Sequence, residues 1–307
     1  MSDPLEIQLV LPNHSATAVY KALTTTADLS RWFAEFADVD MKNGRYNFWG
    51  RNIPGTPNKE NGHHTITENQ ANQCLTYQWP MDDVTMTVTY KLLEDKKGCR
   101  LHLIHHIPKH PPSMPVGFED FWFLNLENLK RHLDGKAPVR LDYNALKLGD
   151  FEVGVEIDGH ATAVFHTLTN NEALERWIAR KANVELKIDG KYDIGWGEGG
   201  SVKIVDLIPN EKLAYTWEAW HTFPETVTTW TLKESGGKTN LTLVHSGFNG
   251  DDDAKGLMGG WLNFLSWVKS VVEYGEAWHP AVKKLTPELY KYYPASMVEK
   301  QALYLQS

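Results

Sequence analysis

Short alternating runs of apolar and polar residues open both halves of the chain. Residues 7–11 and 153–157 alternate in this way, which is the pattern of a strand with one buried face. Two short helical stretches follow each run. Further alternating runs, separated by turn residues, come at 44–48, 75–79, 86–90 and 101–105, and again at 213–217, 227–230 and 241–245. Consecutive strands joined by short turns predict an antiparallel sheet in each half.

Each half closes on a long amphipathic helix. Apolar residues recur there every three or four positions, at Phe118, Trp122, Leu126, Leu129 and Leu133, and at Trp261, Leu265, Val268 and Val272. A glycine follows each run, Gly135 and Gly275, and glycine is common just beyond a helix end. A helix with so wide an apolar face must lie across the sheet, so the predicted fold class is α+β in both halves.

Polar residues near the second short helix of each half are candidate N-caps. In the first half Asp28 directly precedes the apolar positions of this helix. In the second half Thr169 and Glu172 have the spacing of a capping box. We therefore expect Asp28 and Thr169 to cap these helices.

The two halves repeat each other. The motif Leu-x-Arg-Trp at 29–32 recurs at 174–177, 145 positions later, and the other patterns continue in the same order. A period this long indicates two whole domains, because solenoid repeats are about 20–50 residues long. We predict a first domain at 1–141, a linker at 142–150, a second domain at 151–285 and a tail at 286–307.

Composition narrows the class of protein. The 307 residues are 42% hydrophobic and 23% charged, as in ordinary globular proteins, and no apolar run reaches the roughly 20 residues of a membrane span. The first residues lack the pattern of a signal peptide, so we expect a cytoplasmic protein. The net charge of -8 disfavours nucleic-acid binding, because an acidic surface repels phosphates. Cys74 and Cys99 match no metal or redox spacing.

The order of these motifs resembles a known family. Ala-Val-[Tyr/Phe], Leu-x-Arg-Trp, Gly-x-Tyr, Leu-x-Tyr-x-Trp, Leu-x-Leu-x-His and a tryptophan-rich last helix occur in this order in both halves. The pattern is similar to that of the heat-shock-protein-90 ATPase activator homologues of the START/Bet v 1-type (SRPBCC) superfamily. The resemblance implies two tandem helix-grip domains, each a curved antiparallel sheet around a long C-terminal helix, with a cavity between them.

Aromatic residues could line such a cavity in both domains. We predict as ligand-binding residues Trp32, Phe36, Phe48, Tyr77, Trp79, Tyr90, His105 and Trp122 in the first domain, and Trp177, Tyr192, Trp196, Tyr215, Trp217, Trp230, His245 and Trp261 in the second. Ligand sites are mostly apolar with a few polar groups, which this set provides. The simpler interpretation is that the same rings fill an ordinary core.

His105 and His245 share strand parity with the leucines before them, so both rings are expected to face inward. Each could fix a polar atom of a ligand or transfer a proton, although a hydrogen-bonded core histidine is the commoner case. Strand alternation separates His105 from His106, and the other histidines do not recur between the halves, so we predict no metal site. We also predict no cofactor and no catalytic nucleophile.

Three functions are compatible with this sequence. The first, which we expect, is binding of a small hydrophobic or aromatic ligand between the sheet and the C-terminal helix, without catalysis. The second is a cyclase- or aromatase-like enzyme on a polyketide-type substrate, in which His105 or His245, with Tyr77 or Tyr215, handles protons. The third is a partner protein that stimulates a chaperone ATPase. It ranks last, because the resemblance implies a different N-terminal domain in such activators.

Of the two predicted cavities, we favour the second as the ligand site. The segment 245–248 of the second half is closer to the family pattern than its counterpart, which runs into the proline-rich residues 108–115.

Overall fold

The chain folds into two units. The computed structural model describes residues 3–95, 98–196, 202–217 and 225–305. Unit 1 consists of residues 1–145 together with 281–284, and unit 2 of residues 146–280 together with 285–307. The division after residue 145 falls inside the segment 142–150 that we predicted as a linker.

Unit 1 follows the predicted order of strand, two helices, several strands and one long helix. Its elements are β1 (Leu5–Pro12), α1 (Ala16–Thr24), α2 (Thr26–Trp32), β2 (Phe36–Asp40), β3 (Arg45–Trp49), β4 (His63–Gln70), β5 (Cys74–Met81), β6 (Val84–Asp95), β7 (Gly98–His106) and α3 (Phe118–Leu133). The strands form one antiparallel sheet in the order β1-β7-β6-β5-β4-β3-β2.

Unit 2 repeats this order. Its elements are β8 (Phe151–Ile157), α4 (Ala161–Thr169), α5 (Asn171–Trp177), β9 (Asn183–Val184), β10 (Tyr192–Asp193), β11 (Ile204–Ile208), β12 (Lys212–Trp217), β13 (Thr226–Ser235), β14 (Lys238–Ser246), α6 (Lys255–Tyr274) and α7 (Ala295–Glu299). Five strands pair in the order β8-β14-β13-β12-β11, while β9 and β10 pair separately. The predicted α+β class is therefore confirmed.

Strand alternation places the core between each sheet and its long helix. On β1, Ile7, Leu9 and Leu11 are at most 1% exposed, whereas Val10 is 46% exposed. Leu9 pairs with Leu101 of β7, so the apolar face continues from one strand to the next. The helices α3 and α6 bury the apolar stripes that their spacing predicted.

The two predicted helix caps are wrong, by three positions in α2 and by one in α5. In α2 the N-cap is Thr25, whose hydroxyl accepts the backbone N–H of Asp28, so Asp28 lies in the first turn. In α5 the N-cap is Asn170, which accepts from Ala173, while the Thr169 hydroxyl donates to the carbonyl of Phe165. Only one residue separates α1 from α2, and only one separates α4 from α5, and that residue is the N-cap of the second helix.

The segment after α6 does not follow the predicted domain limits. Its first part belongs to unit 1, where β15 (Val282–Lys283) pairs with the outer edge of β1. The predicted second domain at 151–285 thus contains four residues, 281–284, that pack with unit 1. A strand of two residues carries no periodic pattern, which is why the sequence did not indicate it.

The C-terminal segment that we predicted as a separate tail packs within unit 2. The backbone N–H of Ala295 donates to the carbonyl of Ala179, and the Ser296 hydroxyl donates to the carbonyl of Arg176. In unit 1 the Arg140 guanidinium donates to the carbonyls of Arg31 and Ala34, the matching positions. The last carbonyls of a helix have no partner within the helix and need such donors. The segment at the start of α7 supplies them in unit 2, and Arg140 supplies them in unit 1.

No helix among the described residues is long and apolar enough to cross a membrane.

Substitutions on β1 test which face of this strand is buried. We expect Leu9→Ala to lower the unfolding free energy of unit 1 by about 2–5 kcal/mol, because a buried leucine leaves a cavity. Val10→Ala, one position along, should change it by less than about 0.5 kcal/mol. Urea unfolding followed by circular dichroism measures both. Equal losses would contradict the assignment of the buried face.

Candidate functional site

Seven of the eight residues predicted to line a cavity in unit 1 lie together under the sheet. All seven are at most 1% exposed: Trp32, Phe48, Tyr77, Trp79, Tyr90, His105 and Trp122. Their rings meet at centroid distances near 6 Å, for example 6.2 Å between Trp79 and Trp122 and 6.0 Å between Tyr90 and Trp122. Edge-to-face packing at this spacing is the favourable geometry for aromatic rings.

Phe36, the eighth, lies outside this cluster. It is 50% exposed at the start of β2, where its ring stacks on Trp49 at a centroid distance of 5.8 Å. Strand β2 is the outermost strand of the sheet, so its side chains meet fewer neighbours. Its ring therefore packs on the edge of the sheet and does not reach the interior.

The interior of unit 1 contains further rings that the sequence analysis did not select as ligand-binding residues. Tyr46 is one of them and contacts Tyr77 at 5.1 Å. Phe33 stacks on Trp122 at 6.0 Å, His64 stacks on Phe48 at 3.6 Å, and Phe118 meets His105 at 4.8 Å. Phe121 contacts Trp79 at 5.5 Å and Phe33 at 5.9 Å. Phe118 and Phe121 lie three positions apart on α3, a helical spacing that could have identified them.

The eight predicted residues of unit 2 also lie together. Trp177, Tyr192, Tyr215, Trp230, His245 and Trp261 are at most 3% exposed, Trp217 is 8% exposed, and Trp196 is half-buried. Trp217 contacts Trp261 at 4.9 Å and Trp196 at 6.0 Å. The structure thus groups them as predicted, and their role in ligand binding stays a prediction.

One hydrogen bond recurs in both units and joins the last helix to the last long strand. The indole N–H of Trp122 donates to Nδ1 of His105 at 2.9 Å, and that of Trp261 donates to Nδ1 of His245 at 3.0 Å. An indole can only donate, so Nδ1 must be the acceptor and the neutral imidazole carries its proton on Nε2. This explains why both histidines recur at matching positions.

The two units differ at the other imidazole nitrogen. In unit 2, Nε2 of His245 lies 2.8 Å from the hydroxyl of Thr226, which in turn donates to the carbonyl of Trp217 at 3.0 Å. In the matching sheet register of unit 1 the position of Thr226 is held by Met86, which pairs with Trp79. Accordingly Nε2 of His105 is buried with no hydrogen-bond partner among the described residues.

Burial keeps the imidazoles of His105, His64 and His245 neutral. Desolvation lowers the pKa of His105 to about 3, with a smaller effect from nearby His106. It lowers the pKa of His64 to about 3 and that of His245 to about 4. The phenol pKa of Tyr77 and of Tyr215 is raised, again by burial, so neither ionises near neutral pH.

The helix residue just before Trp122 in unit 1 and Trp261 in unit 2 differs between the two units. In unit 1 it is Phe121, which is 1% exposed and fills the space between Trp79 and Phe33. In unit 2 it is Gly260, which has no side chain and is partly exposed. One turn further along α6, Phe264 is also partly exposed and contacts Trp196 at 5.9 Å. This face of α6 is therefore more open than its counterpart on α3.

The described residues of unit 1 also enclose a small void, which Phe33 of the aromatic interior helps to line, and an open cleft. The void has a volume of about 10 Å³, the size of a single water, and lies beside Phe33, Asn52, Asn128 and Arg140. The open cleft has a volume of about 580 Å³ and is formed by loops. None of the predicted ligand-binding residues lines either of them.

Among the described residues no group of three or more His, Cys, Asp or Glu side chains could hold a metal ion.

The fold defines a class of protein. A curved antiparallel sheet packed around a long C-terminal helix is a helix-grip domain, and this chain contains two in tandem. A family model described as activator of Hsp90 ATPase homolog 1-like protein matches residues 13–134 and 158–273. These segments cover more than half of the chain, so it belongs to this family. No curated protein matches it significantly.

Several solved structures are similar to parts of this chain. MLL2253 from Mesorhizobium loti is 26% identical, with a TM-score of 0.35, and the match covers 41% of this chain and 99% of that one. CalU16 from Micromonospora echinospora is 18% identical, with a TM-score of 0.36 and coverages of 51% and 86%. PFC0360w, an HSP90 activator from Plasmodium falciparum, is 21% identical, with a TM-score of 0.35 and coverages of 44% and 99%.

The buried histidines make stability depend on pH. A histidine has a pKa near 6.5 in the unfolded chain, whereas His64, His105 and His245 have folded pKa values of about 3, 3 and 4. Below about pH 6.5 the unfolded chain binds protons that the folded chain does not, so stability is lost as the pH falls. Each histidine contributes a limiting slope of about 1.4 kcal/mol per pH unit.

Urea unfolding between pH 7.5 and 4.5 measures this slope. His105→Gln should make it shallower, and His63→Gln, at an exposed position of the same sheet, should leave it unchanged. An identical slope in the wild type and in His105→Gln would contradict the buried neutral imidazole.

The hydroxyl of Thr226 provides a second test. Thr226→Val keeps the shape but removes the acceptor for the Nε2 proton of His245, and an unsatisfied buried donor costs about 1–3 kcal/mol. We expect a loss of this size in the unfolding free energy of unit 2. Thr231→Val, a half-buried position of the same strand, is the control and should change little. A loss no larger than in the control would mean that the hydrogen bond contributes nothing.

Proposed function

We propose that unit 2 binds a small hydrophobic or aromatic ligand between its sheet and α6, next to Gly260. The observation that carries this proposal is the difference between the two copies at one helix position. A buried phenyl ring, that of Phe121, occupies it in unit 1, and a partly exposed glycine occupies it in unit 2. Loss of a ring from an aromatic interior leaves room for a ring that comes from a ligand.

The residues around Gly260 suit a flat apolar ligand. Gly260 and Phe264 lie four positions apart and so share one face of α6. Trp196 contacts both Phe264 and Trp217, at 5.9 and 6.0 Å, and Trp196 and Phe264 are partly exposed. Apolar walls with a few fixed polar groups are typical of small-molecule sites.

Polar groups near these rings favour a ligand with a hydrogen-bond acceptor. The indole N–H of Trp217 is buried and has no acceptor among the described residues. The indole N–H of Trp196 already has an acceptor, since it donates to the carbonyl of Ile178 at 2.8 Å. A carbonyl or phenol oxygen on the ligand would satisfy Trp217, and an unsatisfied buried donor is costly. We therefore expect an aromatic ligand that carries such an oxygen.

Unit 1 is then the copy whose interior has been filled. Phe121, together with Phe33 and Phe48, stands where unit 2 has Gly260, Ile178 and Ile194. We expect unit 1 to bind nothing in this interior and to act as scaffold.

The enzymatic alternative receives less support from the hydrogen bonding. In His245 one imidazole nitrogen accepts from Trp261 and the other contacts Thr226, so no lone pair is left to take a proton from a substrate. In His105 the nitrogen that can accept is occupied by Trp122. A general base needs a free lone pair within reach of the substrate.

The other alternative is chaperone activation, which the family description names. Stimulation of a chaperone ATPase is therefore one outcome of the experiment described next.

Native mass spectrometry after incubation with a mixed lipid and polyphenol extract tests the proposal. We expect retained small molecules, and quenching of tryptophan fluorescence when the retained compound is added back. Gly260→Phe places the ring of unit 1 into unit 2 and should weaken binding at least about tenfold, which corresponds to about 1.4 kcal/mol. Gly256→Phe is the matched control on the same helix, where an added Cβ meets nothing within 4 Å.

Two results would overturn the proposal. One is equal binding by Gly260→Phe, Gly256→Phe and the wild type. The other is no retained compound together with stimulation of a purified chaperone ATPase by the wild-type chain, which would favour the activator role instead.

A further inference from the structure

The open cleft of unit 1 is built from loops, and none of the predicted ligand-binding residues lines it. Tyr143 of its wall contacts Phe121 of the aromatic interior at 6.5 Å. The cleft has a volume of about 580 Å³, within the range of about 300–1,000 Å³ typical of small-molecule sites. Its walls come from the loop between β3 and β4, the turn between β5 and β6, the segment before α3 and the segment after α3. The lining residues include Arg51, Ile53, Pro54, Pro57, Pro115 and Tyr143.

Hydrogen bonds hold these loops in place. Within the first loop the backbone N–H of Gly50 donates to the carbonyl of Thr56 at 2.9 Å. The Asn52 side chain donates to the carbonyl of Leu141 at 2.9 Å, and the backbone N–H of Tyr143 donates to the carbonyl of Arg51 at 2.8 Å. The cleft is therefore preformed, which reduces the entropy that a ligand loses on binding.

Glycine at position 55 brings this loop against the sheet. Gly55 has a φ of +67°, in the left-handed region, and a Cβ there would lie 2.6 Å from the Met81 side chain. The floor of the cleft thus depends on a close approach that only glycine allows.

Part of the lining of the cleft is apolar. Three proline rings, from Pro54, Pro57 and Pro115, stand with the side chain of Ile53 and the ring of Tyr143. Ile53 is 2% exposed and so is firmly packed. Rigid apolar rings of this kind offer a surface on which a flat aromatic ring can lie with little loss of side-chain entropy.

Arg51 is the cationic side chain among the residues that line the cleft. The carboxylate of Asp82 also lines it and keeps its charge, because the hydrogen bonds that it accepts from the backbone N–H of Ser113 at 2.7 Å and the Ser113 hydroxyl at 2.5 Å lower its pKa. Arg51 is about half exposed, at 55% for its side chain. Its Nε lies 3.4 Å from Oε1 of Glu35, and its backbone N–H donates to Oε2 of Glu35 at 3.0 Å. Its two terminal nitrogens have no protein partner in the described parts of the chain, so a ligand carboxylate can bind them side by side.

We propose that this cleft of unit 1 binds a small aromatic carboxylate. The ring lies against the prolines, Ile53 and Tyr143, and the carboxylate accepts hydrogen bonds from the terminal nitrogens of Arg51. The site differs from the one proposed in unit 2 in its unit, its residues and the charge of its ligand.

Saturation-transfer NMR with 2-naphthoate tests this site on the full chain, with every variant compared in the Gly260→Phe background so that the site proposed in unit 2 is blocked. We expect saturation of the ring protons and a dissociation constant that rises about tenfold in Arg51→Gln, because a planar guanidinium gives two parallel hydrogen bonds that glutamine does not replace. Arg45→Gln is the control, since Arg45 is similarly exposed, at 48%, and does not line the cleft. Its affinity should match the wild type. The neutral 2-naphthamide should bind about tenfold more weakly than the acid.

Three outcomes would overturn the proposal: no saturation transfer, equal affinity for the acid and the amide, or equal affinity in Arg51→Gln and the wild type. Thermal unfolding of each variant checks that the fold persists, and Arg51→Lys serves in place of glutamine if it does not. The site proposed in unit 2 also fits an aromatic ligand that carries an oxygen, so only saturation that persists in Gly260→Phe is assigned to the cleft. Loss of binding in Gly260→Phe would instead assign the naphthoate to unit 2 and contradict the cleft.

Discussion

The hydrogen bond between a helix tryptophan and a strand histidine is the constraint on which both units depend. It fixes the height of the long helix above the sheet, because the indole N–H of Trp122 or Trp261 must reach Nδ1 of an imidazole held on β7 or β14. It also fixes the tautomer, and with it the neutral state of a ring that is almost completely buried. The other aromatic rings then pack around this fixed pair.

Two copies built on the same constraint have diverged in what surrounds it. Unit 1 fills its interior with phenylalanine rings and leaves the Nε2 proton of His105 without a described partner. Unit 2 satisfies the corresponding proton through Thr226 and replaces a phenylalanine by Gly260. Among its described residues, unit 1 therefore lacks the hydrogen bond to the second imidazole nitrogen, and unit 2 lacks the phenyl ring that packs against its neighbours in unit 1. A difference of this kind is expected when duplicated domains come under separate selection.

The sequence predicted the fold and the grouping of aromatic rings well, because both follow from periodicity. Fifteen of the sixteen predicted residues cluster in the two interiors, since strand parity and helix spacing determine which way a side chain points. Phe36 was misplaced because parity does not tell whether a strand lies at the edge of a sheet. The caps at Thr25 and Asn170 were missed because they are also the last residues of the preceding turn.

The features that remained hidden are those that depend on tertiary contacts. Thr226 becomes a partner of His245 only once the register of β13 and β14 is known. The cleft around Arg51 is assembled from four loops that are far apart in the sequence, and no local pattern marks such a site. Gly260 was visible in the repeat, but its significance depends on the ring that replaces it in the other copy.

The position of β15 has a consequence for how the protein is made. Unit 1 ends its main segment at residue 145, yet the strand that covers the outer edge of β1 is synthesised almost 140 residues later. During translation the nascent first unit therefore presents an unpaired strand edge, the kind of surface that invites mispairing. For the same reason, no single proteolytic cut divides the chain into two complete folding units.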